Sequence, residues 1–384
     1  MKIAIFTDSF LPGTGGTENA VLQIAKAHVQ NGNSVLVCAP KYWDYVDNFE
    51  FEVARCKSFK SSDNNYFNAR ANSSKDFIQK IDDFAPDVIH CHTNGNMLVF
   101  ANKYSKKHNI PLVTTIHTKF SMIIQHDVHS KLITKIACLI IGSRLKKSDE
   151  VCGVSYYMRG EFDKYGYKKP YHMIKNGVPE TPNDYQDVTD IAKQKYGFKQ
   201  TDNILLYVGH IIKFKNIDFT FEALKILNKE FPNFKMVFTG SIDDKKFYKK
   251  VQKSELKDKI LFTGVVKDKN LLNSLYQNAK LFLFPSTFDT DGLVCLEAGL
   301  NRTPSVVIKG TGPSERIVDN GNGFIVENNP KAMATKILYL LNNPKLIESA
   351  GLNAQKKLNK KWTQTAKEYE EVYNLAIEKR KNKW

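Results

Sequence analysis

Short apolar runs alternate with stretches of helical period along nearly the whole chain. KIAIF (2–6), SVLVCA (34–39), DVIHCH (87–92), PLVTTIH (111–117), EVCGVS (150–155) and YHMIKNG (171–177) form a first series of predicted strands. A second series follows a polar, proline-containing linker, VPETPNDYQDVTD (178–190): NILLYVG (203–209), FKMVFTG (234–240), KILFTG (259–264), KLFLFPS (280–286), PSVVIKG (304–310) and GFIVE (323–327). Strands that are apolar throughout and separated by helices need cover on both faces, so each series predicts a parallel sheet flanked by helices. The expected fold is α/β, with Rossmann-like domains at 1–178 and 179–361 facing a central cleft; ligands would bind there, beyond the carboxyl ends of the strands. Residues 362–384 predict a charged amphipathic helix with Trp362, Ala366, Tyr369, Val372, Tyr373 and Ala376 on its apolar side.

The length of 384 residues agrees with two cores. A net charge of +16 would suit a phosphorylated substrate, an anionic membrane or nucleic acid, but no aromatic residues interleave with arginine, so nucleic acid is set aside as a partner. The six cysteines form no CxxC pair and several lie in apolar strands, which suits reduced, buried thiols. The apolar start is too short for a signal peptide, and no run approaches a membrane span. A cytoplasmic protein with at most peripheral membrane contact is expected.

Four stretches carry candidate chemistry. The first glycine loop, FTDSFLPGTGGTENA, begins a dinucleotide fingerprint, but Glu18 stands where a third glycine belongs and no acid ends the second strand. A nicotinamide cofactor is therefore not expected, although Gly15 and Gly16 before a helix could let a phosphate approach bare backbone N–H groups. His90 and His92 share one face of a strand, and His126 and His129 have turn-like spacing; no third ligand at metal spacing follows, so both pairs are read as structural. His117 ends a strand, where catalytic groups collect. Lys213 and Lys215 follow the turn at Gly209 and His210 and could meet phosphate oxygens; a solvated charged loop is the plainer alternative. In PSTFDTDGLVCLEAGL, Asp289 and Asp291 precede a helix start at Gly292, Leu293 and Val294 that could bind an anion, and Glu297 lies further along the helix, placed to accept ribose hydroxyls. A glycosidase pair is the competing reading, and it fits poorly with one carboxylate before the helix and the other inside it.

Taken in order along the chain, these motifs resemble the family 4 retaining glycosyltransferases. The GG after the first strand, IHT at His117, KNG at 175–177, VGxxxxxKN at 208–216, the paired acids Asp289 and Glu297 and NGFIV at 322–326 carry the resemblance. It implies the GT-B fold, with the C-terminal helix crossing back onto the first domain. It also implies a nucleotide-sugar co-substrate, with no other cofactor and no metal. The roles implied are donor phosphates near Gly15 and Gly16, sugar or acceptor contact by His117, pyrophosphate pairing by Lys215, sugar hydroxyls on Asp289 and ribose on Glu297. Domain closure would exclude water. His210 departs from the arginine common in the family, and Asp289 is one methylene shorter than the usual glutamate. The family's lipid and lipid-linked acceptors, with the basic segment HSKLITKIACLIIGSRLKKSDE (129–150), suggest an acceptor at an anionic membrane surface. An ordinary buried helix is the alternative for that segment. Other possibilities for the whole chain are a nucleotide-sugar epimerase on the same fold and a non-catalytic partner subunit.

Overall fold

A computed structural model describes residues 1–13, 15–43, 45–60, 67–178 and 187–382, so most of the predicted linker lies outside the described residues. The chain divides into two compact units, Met1–Glu180 with Lys360–Trp384, and Thr181–Asn359.

In the first unit, seven of the described strands form one parallel sheet in the order β3-β2-β1-β6-β7-β8-β9. These are β1 (Lys2–Phe6), β2 (Ser34–Pro40), β3 (Glu52–Cys56), β6 (Val88–Cys91), β7 (Leu112–Ile116), β8 (Glu150–Gly153) and β9 (His172–Met173). Between them, β4 (Ser58–Lys60) and β5 (Phe67–Ala69) form a separate antiparallel pair. The order reverses between β1 and β6, so the loops after these strands part and leave a concave edge, the usual ligand position of an open α/β sheet. Every residue of β6 and β7 is buried, as continuous apolar strands require.

The second unit repeats the scheme in the order β12-β11-β10-β13-β14-β15, with its reversal between β10 and β13. Its strands are β10 (Ile204–Val208), β11 (Lys235–Thr239), β12 (Ile260–Gly264), β13 (Ala279–Phe284), β14 (Ser305–Ile308) and β15 (Gly323–Val326), all parallel.

The C-terminal helix Trp362–Lys381 belongs to the first unit, as the GT-B resemblance implies. Its predicted apolar positions are all buried, Tyr369 and Tyr373 completely, so this helix is core rather than surface decoration. The KNG motif explains the docking. The Val178 N–H donates to the Lys360 carbonyl at 2.7 Å, and Thr365 Oγ1 donates to the Lys175 carbonyl at 3.0 Å. A Cβ on Gly177 would lie 2.6 Å from the Trp362 nitrogen, so only glycine lets the backbones approach.

Candidate active site

The second unit gathers its candidate residues at the carboxyl edge of the sheet, on the loops after β10 and β13. Gly209 has a φ of +144°, and the Tyr207 hydroxyl donates to the His210 carbonyl at 2.9 Å, which fixes the turn. His210 Nδ1 sits 2.8 Å from Ser241 Oγ and 3.0 Å from Asp243 Oδ2, held at the end of neighbouring β11. Lys213 is exposed, whereas the Lys215 side chain is mostly buried. Asn216 closes that turn in the left-handed region, and its amide donates to the Pro285 carbonyl at 3.2 Å, tying the two loops together. Packing of Phe214 on Phe288, 5.3 Å between ring centres, completes the junction.

On the β13 side, Ser286 Oγ accepts from the N–H groups of Phe288 and Asp289 at 3.3 and 3.2 Å, so the serine of the PS pair shapes the loop that presents Asp289. Lys215 Nζ donates to Asp289 Oδ1 at 2.5 Å. The other carboxylate oxygen, Oδ2, is shielded from solvent and has no hydrogen-bond partner among the described residues. A buried acceptor left unmade is costly, and a ligand hydroxyl would relieve it.

Gly292 precedes the helix Leu293–Leu300 with a φ of +73°, and a Cβ there would lie 2.9 Å from Pro313 Cγ. The helix thus starts at Leu293, with Gly292 as its cap rather than its first turn, and no side chain caps its N-terminus. Backbone N–H groups at such a start attract anions. Further along, Glu297 Oε2 accepts from the Tyr276 hydroxyl at 3.2 Å. Burial pushes the Glu297 carboxyl up to about 7, against the opposing pull of Tyr276 and Lys269. One cation, one carboxylate and one helix start therefore gather on the loops at the switch point of this sheet, and Glu297 lies within the helix that begins there.

In the first unit, Gly15 caps the helix Gly16–Gln30 without a side-chain bond. A Cβ on Gly15 would run into the Glu18 carboxylate, while one on Gly16 would meet nothing. Glu18 is buried and accepts from Ser9 Oγ, so it braces the loop at the place where a fingerprint glycine was missing. His117 follows β7; burial lowers its imidazole to about 4 and keeps it neutral. His92 Nδ1 lies 2.8 Å from His117 Nε2, and the His90 and His92 rings are 3.8 Å apart. These ring nitrogens lie within hydrogen-bond reach of one another and form a file.

The sequence matches two family models: Glycosyltransferase Family 4 over residues 14–181, and Glycosyl transferases group 1 over residues 188–357. The chain belongs to the family 4 glycosyltransferases. It is 25% identical over 379 residues to alpha-monoglucosyldiacylglycerol synthase of Acholeplasma laidlawii, covering 92% of each chain. It is 29% identical over 197 residues to the capsular polysaccharide biosynthesis glycosyltransferase CapM of Staphylococcus aureus, covering 50% of this chain and 51% of that one. Its fold is shared with Anabaena HepE, solved in complex with UDP and glucose, at a TM-score of 0.73 and 19% identity over 97% of this chain and 99% of that one. These likenesses establish the GT-B architecture of the glycosyltransferase.

Several contacts of this glycosyltransferase were not legible in its motifs. Asp291, unassigned by sequence reasoning, forms a buried two-pronged pair with Arg316: Nε to Oδ1 at 2.6 Å and Nη2 to Oδ2 at 2.8 Å. It anchors the loop carrying Asp289 to the turn after β14. Replacing Arg316 by Ala strands a buried carboxylate, and urea denaturation should register a loss of about 3–5 kcal/mol. The double variant Arg316→Ala/Asp291→Ala should recover part of that loss; an equally unstable double variant would contradict the pairing.

Proposed function

We propose that this glycosyltransferase moves a hexose from a UDP-sugar to a lipid or lipid-linked acceptor at a membrane surface, with retention of anomeric configuration. The observation that carries the proposal is the convergence of Lys215, Asp289 and the start of helix Leu293–Leu300, with the raised Glu297 carboxyl in the same helix. Cleaving the bond between sugar carbon and phosphate builds negative charge on the departing diphosphate. The Lys215 ammonium and the N–H groups of Leu293 and Val294 are fixed charges and dipoles that would stabilise it without reorganising. Gly15 and Gly16 would admit donor phosphates at the other helix start. Asp289, with one carboxylate oxygen unpartnered, would accept sugar hydroxyls, and Glu297 would accept the ribose pair. His210 is engaged by Ser241 and Asp243, so the exposed Lys213 would be the second cation for the pyrophosphate. His117 would hydrogen-bond a substrate hydroxyl. The mechanism asks for no metal.

The acceptor class draws support from the helix Lys131–Leu145, which fits both readings of the 129–150 segment at once. Thr134, Cys138, Ile141, Gly142 and Leu145 face the core, while Leu132, Ile133, Ile136, Leu139 and Ile140 are exposed by 47–68%. Isolated exposed apolar residues are ordinary, but a row of five beside Lys131 and Lys135 suits an anionic membrane surface. Beside the row, a cavity of about 680 Å³ lies between this helix, the helix Phe120–Val128 and the end of the helix Arg159–Lys164, lined by Met122, Cys138 and Leu139 and also by Lys131, Lys135, Asp163 and Lys164. It would take an apolar chain. No helix among the described residues is long and apolar enough to cross a membrane. Peripheral attachment on the cytoplasmic face is the localisation proposed.

The test incubates the protein with radiolabelled UDP-glucose and vesicles of phosphatidylglycerol and diacylglycerol. Label should enter the organic phase, and Ile133→Glu/Ile136→Glu should abolish vesicle binding while leaving donor binding intact. A lipid-linked saccharide replaces diacylglycerol in a second arm. Conversion of the donor without acceptor would make the protein an epimerase, and donor binding with no transfer in either arm would make it a non-catalytic partner.

A further inference from the structure

The first unit contains a continuous file of hydrogen-bonded side chains from a carboxylate on the C-terminal helix to His117. Glu370 Oε1 lies 3.2 Å from His28 Nδ1, and His28 Nε2 lies 3.1 Å from the Tyr373 hydroxyl. That hydroxyl lies 2.6 Å from His90 Nδ1, which in turn lies 3.1 Å from His92 Nε2. His92 Nδ1 then meets His117 Nε2 at 2.8 Å, and Thr115 Oγ1 meets His90 Nε2 at 2.7 Å. The four histidines come from the first helix, from β6 and the residue beyond it, and from the residue after β7; Tyr369 and Tyr373 pack on the first three of them.

Burial lowers the imidazole pKa at all four histidines. Each ring is therefore neutral, with one nitrogen donating and the other accepting, so the direction of one bond fixes the next. The file could run either way in the abstract. Glu370 decides it. Asn31 and Asn33 amides donate to the same Oε1 at 3.3 and 2.8 Å. Burial favours the protonated carboxyl, but these bonds and His28 outweigh it and hold the group below its ordinary range. An ionised carboxylate only accepts, so His28 donates through Nδ1 and its Nε2 must accept from the Tyr373 hydroxyl. The Tyr373 oxygen accepts from His90 Nδ1–H, which is shared with His92 Nε2, while His90 Nε2 accepts from Thr115. His92 then donates through Nδ1 to His117 Nε2.

We infer that Glu370 is a positioning residue for His117: through His28, Tyr373, His90 and His92 it holds the His117 ring as the tautomer protonated on Nδ1, presenting that N–H as a donor. The tautomer assignment stands on these distances and on the ionised Glu370 with its two asparagine donors; its use in transfer rests on the proposal that His117 bonds a substrate hydroxyl. No motif could show it, because His28 and Glu370 are 342 residues apart in the chain.

Long-range proton–nitrogen spectra of the full chain labelled at histidine nitrogens read the tautomers directly. The unaltered protein should show His117 with Nδ1 protonated and Nε2 bare. Glu370→Ala removes the directing acceptor, a bias of about 10- to 100-fold in tautomer ratio for a charged hydrogen bond, and His117 should become a mixture. Glu370→Gln keeps an acceptor oxygen for the same three donors and should restore the single form. Tyr373→Phe cuts the file in the middle, so His28 should keep its Nδ1 proton while His90, His92 and His117 lose their fixed direction. A proton on His117 Nε2 in the unaltered protein, or an unchanged His117 in both Glu370→Ala and Tyr373→Phe, overturns the inference. In transfer assays kcat should follow the Nδ1–H fraction, with KM for the donor unmoved. A tautomer shift with full kcat would remove His117 from the reaction without touching the assignment.

Discussion

Replacing Lys215 by Ala should lower kcat for transfer by about two to three orders of magnitude, the effect of deleting one preorganised donor to developing negative charge. The ammonium has three N–H groups and gives one to Asp289 at 2.5 Å, so the others can reach phosphate oxygens without breaking that pair. The aromatic wall of Phe288, 5.7 Å from Nζ, and the burial of the side chain keep water from competing. The same substitution leaves Asp289 without its cation, so lost activity could be confused with a displaced loop. Lys215→Ala/Asp289→Ala reads the loop: stability should partly return, and kcat should stay low because both substrate contacts are gone. Single-turnover measurements with saturating donor, beside thermal denaturation of both variants, make the comparison. If the double variant recovered transfer within tenfold of the unaltered protein, Lys215 would be structural, and the charge argument for this edge of the sheet would fail.

What the sequence disclosed followed from how local each signal was. Strand β10 is an unbroken apolar run, as are β13 after Lys280 and β14 after Ser305, and burial on both faces of a parallel sheet leaves no other pattern for them. By contrast β3, the edge strand EVARC, and the antiparallel pair β4 and β5 went unpredicted, because a strand with one open side carries polar residues that blur its period. The predicted strand at 171–177 shrank to His172–Met173; Ile174 is buried but its N–H donates to the Gly153 carbonyl as the chain turns towards the docking point at Gly177. Lys215 and Asp289 were each legible as site candidates because each follows a strong strand, and strand ends at a reversal of sheet order come together in space; their ion pair became visible only in the fold. Asp291 with Arg316, and the file from Glu370 to His92, were not legible. Their partners meet only after the chain has folded, and a carboxylate or imidazole alone does not reveal which distant group it faces.

Glu297 should give the glycosyltransferase a donor affinity that depends on pH in a fixed direction. Burial raises its carboxyl from the ordinary 4.5 to about 7, so the free protein holds a proton there through the acid range. Two consequences follow with definite signs. The folded chain binds this proton more tightly than the unfolded one, so the contribution of Glu297 to stability is present below 4.5 and is lost as pH rises to 7. A carboxylate accepting two ribose hydroxyls must first lose the proton, so donor binding should tighten as pH rises and weaken about tenfold per unit below 7. Glu297→Gln cannot ionise and should flatten this profile between pH 5 and 8, and Glu297→Ala should cost about two to three orders of magnitude in kcat/KM through the lost charge-assisted bonds. Isothermal titration with UDP across that range reads the affinity, since UDP carries the ribose and the diphosphate but no sugar. The diphosphate also titrates near pH 6, and the Gln variant subtracts that contribution because it keeps the phosphate sites and lacks the carboxyl. Identical slopes for the unaltered protein and the Gln variant would mean that Glu297 does not bear the ribose. Its raised carboxyl would then be only a consequence of burial beside Tyr276.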